Sequence, residues 1–135
     1  MTAYLNALGL NCALGNDRSE VARRLFAADD SGMVTESGWV PQRSLPVGAV
    51  KAQLPSIPAR LAEHRSRNNQ LLLAAALQIE PQIREAIQHY GTDRIGVILG
   101  TSTSGSDEAG HGIGAWLNDQ QFPADYHYQQ QELGA

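Results

Sequence analysis

Arg94–Gly100 (RIGVILG) is the segment that most constrains what this chain can fold into. It is β-branched and apolar on both of its alternating faces, so as a strand it has no polar side to offer to water. Strands of that kind sit inside parallel sheets whose two faces are covered by helices. A second short apolar segment, Ala3–Leu8, reads as a strand leading into the glycine-punctuated turn Gly9–Gly15 (GLNCALG). Parallel strands need crossover connections, and those are helical and right-handed. The expected class is therefore α/β, built in layers.

Helix signals lie between the two strands. Asp17 followed by Glu20 has capping-box spacing, and Val21, Ala22, Leu25 and Phe26 share one face, which predicts a helix over Asp17–Ala28 with Arg18, Arg23 and Arg24 toward solvent. Over Asn69–Tyr90, Leu72, Leu73, Ala76, Leu77, Ile83, Ala86, Ile87 and Tyr90 recur at three- and four-residue spacing. Pro81 interrupts that pattern and must kink the helix or begin a second one, because it lacks an amide proton and crowds the preceding turn. Gly91 is placed to end it. Residues Asp29–Ser56 hold Gly32, Gly38, Pro41, Pro46, Gly48 and Pro55 and read as an excursion with one weak strand at Val47–Gln53. Gly100–Gly114 reads as a loop, with a short helix over Ala115–Gln121.

Composition narrows the function classes. Apolar residues make up 42% of the 135 residues, and ten basic residues against fourteen acidic give a net charge of −4. That balance lacks the basic stripe of a nucleic-acid binder. The longest apolar run, Leu71–Leu77, falls well short of the roughly 20 residues of a membrane helix. The single cysteine, Cys12, excludes an internal disulfide and a multi-cysteine zinc cluster. With no signal peptide at the start, the chain reads as soluble and cytoplasmic.

The candidate chemistry is sparse. The loop Gly100-Thr101-Ser102-Thr103-Ser104-Gly105 follows the apolar strand, where α/β folds place ligands. It lacks the lysine of a phosphate loop, the spacing of a dinucleotide fingerprint, and the second glycine of a nucleophile elbow. Cys12 precedes a helix start, a setting that can activate a thiol, but free cysteines are mostly small buried hydrophobes. His64, His89, His111 and His127 have no metal-ligand spacing. Glu108 beside Asp107 suits the first turn of a helix better than an acid–base pair.

Four segments together resemble the N-terminal part of the β-ketoacyl-[acyl-carrier-protein] synthases, the condensing enzymes of fatty-acid and polyketide synthesis. Leu8–Gly15 with Asn16-Asp17 (LGLNCALGND) looks like the family's opening strand and turn. Val47–Gln53 looks like the short strand before its long Ala-rich helix. Gln70–Gln78 (QLLLAAALQ) and Arg94–Gly105 (RIGVILGTSTSG) look like that helix and the strand–glycine loop after it. Cys12 stands where the family usually has Ser or Thr, and Ala13 where Pro is common. The resemblance thus makes Cys12 structural.

What the resemblance implies is an incomplete thiolase-like layered α/β fold, the N-terminal part of the first βα half. Residues 1–135 are expected to be one piece of the family's N-terminal domain, without an internal boundary. The implied parent is an acyltransferase that elongates acyl chains by decarboxylative Claisen condensation. Its nucleophilic cysteine and two histidines are expected beyond Ala135, so no catalytic residue is assigned within the chain. Thr103 matches by position the family's loop residue facing the acyl-chain pocket near the dimer interface. No cofactor or metal is expected. The implied partners are an acyl carrier protein, or a coenzyme A thioester, and a second synthase-like chain in a homodimer or heterodimer. Two other readings stay open: a non-catalytic chain-length-factor type of partner, and a free-standing small α/β binding domain using the Gly100–Gly114 loop.

Overall fold

The computed structural model describes residues 3–100 and 105–131. Its elements run α1 (Arg18–Phe26), β1 (Met33–Val40), β2 (Arg43–Gly48), a 3-10 segment (Ala59–His64), α2 (Arg67–Gln78), α3 (Glu80–Tyr90), a 3-10 turn (Thr92–Arg94), α4 (Ser106–Asp119) and α5 (Tyr128–Gln131). They gather into two compact units. One holds residues 1–54 and 74–85, the other residues 55–73 and 86–135. Each unit draws on two separate stretches of chain, so no single cut separates them.

Local signals decide the helices. Asp17 caps α1, its carboxylate accepting from the amides of Ser19 at 2.7 Å and Glu20 at 2.9 Å. Glu20 reaches back one residue further than a capping box requires and accepts from the Asn16 amide at 2.9 Å. The helix ends in a Schellman motif: Asp29 N–H bonds to Arg24 O, Ala28 N–H bonds to Leu25 O, and Ala28 takes the left-handed φ of 52°. Pro81 divides the long apolar-periodic segment as expected, with α2 stopping at Gln78 and α3 starting at Glu80. Gly91, at φ 85°, donates to Ile87 O and closes α3.

The strands differ from the sequence expectation. Among the described residues the one sheet is the antiparallel pair β1–β2, with Val34 opposite Val47 and Glu36 opposite Leu45. The excursion thus contains a hairpin rather than a single weak strand at Val47–Gln53. Its turn places Pro41 before Gln42, whose φ is 59°, and the register slips between Ser37 and Val40 where Gly38 takes a φ of 101°. Ala3–Leu8 and Arg94–Gly100 are not strands among the described residues, and no parallel pair is present there. The reason is physical: a strand exists only through a neighbour, and no described segment pairs with either one. Val97 is 79% exposed and Ile98 97%. Helix α4 also starts earlier than expected, running through Gly110, Gly112 and Gly114.

Apolar burial is slight. Among the described residues Val21 is the buried large hydrophobic side chain, at 9% exposure, whereas Leu25 and Phe26 on the same predicted face stay exposed. Among the described residues the buried polar ones are Ser66 and Gln131.

Candidate functional site

In the first unit, the turn after residue 8 is held by backbone approach and one side chain. Cys12 and Gly15 exchange backbone hydrogen bonds at 2.8 and 3.1 Å. Gln78 on α2 accepts from Leu10 N–H at 3.1 Å and donates to Leu10 O at 3.0 Å and Asn16 O at 2.7 Å. Gly9 lies so close to α2 that a Cβ there would meet the Ala75 carbonyl oxygen at 2.0 Å. A Cβ on Gly32 would meet the Ala13 oxygen at 2.3 Å. Cys12 is a half-buried free thiol inside this framework. Its turn is a packed structural element, consistent with the structural role that the resemblance implies for it.

The expected ligand loop belongs to the second unit. Thr103, the one substrate-binding residue assigned from the sequence, lies outside the described residues. The loop's C-terminal end is described: Gly105 is buried, takes a left-handed φ of 70° and forms the N-cap of α4. Asp107 and Glu108 occupy the first turn, as acidic residues should at the positive end of a helix. Glu108 has a further role that its position in the sequence does not show. Its carboxylate accepts from the Arg67 amide at 2.9 Å, so it caps the N-terminus of α2 from another element. Ser66 completes that cap, its hydroxyl accepting from Asn69 N–H at 3.1 Å.

The histidines are dispersed in role. His64 Nδ1 lies 3.1 Å from Gln130 O and donates to it. His89 packs edge-on against Tyr90, His111 is exposed on α4 rather than in a glycine loop, and the His127 amide donates to Gln131 Oε1. Among the described residues no group of three or more His, Cys, Asp or Glu side chains could hold a metal ion. The pKa of the Asp29 carboxyl is lowered. Hydrogen bonds from Ser31, side chain and backbone, lower it, and the charges of Arg24 and Arg23 act in the same direction. This is a bend-stabilising arrangement, with Ser31 N–H donating at 2.8 Å, not a catalytic one.

Known proteins bear on this arrangement directly. A chain in the solved complex of the ketosynthase ApeO with its chain length factor ApeC, from Xenorhabdus doucetiae, matches with 48% sequence identity and a TM-score of 0.87. This chain is similar to one member of a ketosynthase–chain length factor pair. The match takes in 97% of this chain and 34% of that one, so the chain spans about a third of the length of the solved chain it matches. No family model and no curated protein matches. The fold is that of the corresponding third of a ketosynthase-type, thiolase-like chain. Within it, the described residues form a small α/β arrangement with a two-stranded sheet. No described helix is long and apolar enough to cross a membrane.

Proposed function

We propose that the chain is the N-terminal part of a β-ketoacyl-[acyl-carrier-protein] synthase, one continuous piece of its N-terminal domain. The observation that carries this reading is the 48% identity sustained over 97% of the chain. A physical observation supports it. The apolar segment at 95–100 is exposed on both faces, as a strand taken from the middle of a larger sheet would be.

In this reading the whole protein condenses two thioesters. A cysteine thiolate attacks an acyl thioester, forming the acyl-enzyme and releasing the carrier thiol. Two histidines then assist loss of carbon dioxide from a malonyl thioester. The resulting enolate attacks the acyl-enzyme carbonyl, forms the carbon–carbon bond and expels the cysteine thiolate. The chain's own contribution is the loop bearing Thr103, which would face the growing acyl chain, and the helices that hold that loop's C-terminal end. The carrier protein and a second synthase-like chain are the proposed partners.

A second reading, a non-catalytic chain-length-factor type of partner, is favoured by the presence of such a factor in the matched complex. Reading the open frame past Ala135 separates the two. A cysteine flanked by small residues and followed by two histidines supports the synthase, and another residue at the nucleophile position supports the factor. In both readings the 135 residues alone transfer no acyl group. Mass-spectrometric detection of an acyl adduct on Cys12 after incubation with acyl carrier protein would overturn that expectation.

A further inference from the structure

We draw no further inference here: the strongest candidate, the unpartnered apolar segment at 95–100 with Val97 and Ile98 exposed, carries nothing of its own, because nothing in the structure shows what covers it.

Discussion

Two glutamines clamp backbone in this protein, one in each compact unit, and their surroundings differ. Gln78 sits on α2 and holds residues 10 and 16 of the N-terminal turn, with Gly9 and Gly32 letting backbone touch backbone on either side. Gln131 sits on the segment that is itself being held and reaches back to Arg65 O. Behind the first clamp is steric contact that leaves no room for even a methyl group. Behind the second are the rings of Phe122 and Tyr126 and one glycine, Gly112. A carboxamide is well suited to both tasks, because it donates and accepts in one plane and carries no charge to desolvate. The difference teaches that the same hydrogen-bonding group serves where backbone packs against backbone behind it and where aromatic rings do.

The largest expected effect comes from removing the space behind the first clamp. Gly9→Ala puts a Cβ 2.0 Å from the Ala75 carbonyl oxygen, where neither atom belongs to a flexible side chain. The turn must move, and a loss of about 3 kcal/mol is expected in urea unfolding. A loss under about 1 kcal/mol would show that the contact is soft and the two clamps alike.

Gln78→Leu keeps the volume and deletes the bonds to Leu10 and Asn16, for an expected cost of about 2 kcal/mol, since the two Leu10 bonds are partly buried and their backbone groups lose their partner. Protection of the Cys12 and Gly15 amides should fall with it. Smaller, and opposite in sign, is Ala28→Gly. Ala28 holds a left-handed φ at the end of α1 where glycine is the usual residue, so the change should stabilise the first unit by up to about 1 kcal/mol, read as a raised urea midpoint.

The smallest effect is that of acid on the bend at 29–32, which brings Gly32 to Ala13. The Asp29 pKa is lowered on folding, so its ionised form favours the folded state. That contribution is fully present above the ordinary carboxylate pKa and is lost as pH falls through the lowered folded value. Asp29→Asn should flatten this slope. An unchanged slope in the variant would assign the acid sensitivity to other carboxyls.

Features that depend on a few neighbouring residues were legible in the sequence. The Asp17 cap, the division at Pro81 and the stop at Gly91 each follow from chemistry within four residues, and each is where the pattern puts it. The hairpin was not legible. Its turn uses Gln42 in a conformation usually given to glycine, and the pairing of Val34 with Val47 spans thirteen residues. Helix α4 was hidden by Gly110, Gly112 and Gly114, three poor helix formers whose propensity is outweighed at Gly112 by the approach of Tyr126. Of the candidate site, Glu108's place in a first turn was readable. Its bond to the Arg67 amide, forty-one residues away in sequence, was not.

By itself the sequence determined the helix boundaries set by caps and proline, the charge balance, and a resemblance specific enough to name a family. Only the tertiary structure decided where the apolar residues are covered, which amides Gln78 and Gln131 clamp, and that 95–100 finds no pairing partner among the described residues. The reason lies in range. Capping and helix hydrogen bonds close over three or four residues, so residue type fixes them. Strand pairing and clamping join segments tens of residues apart, so they exist only when the rest of the fold brings the partners together.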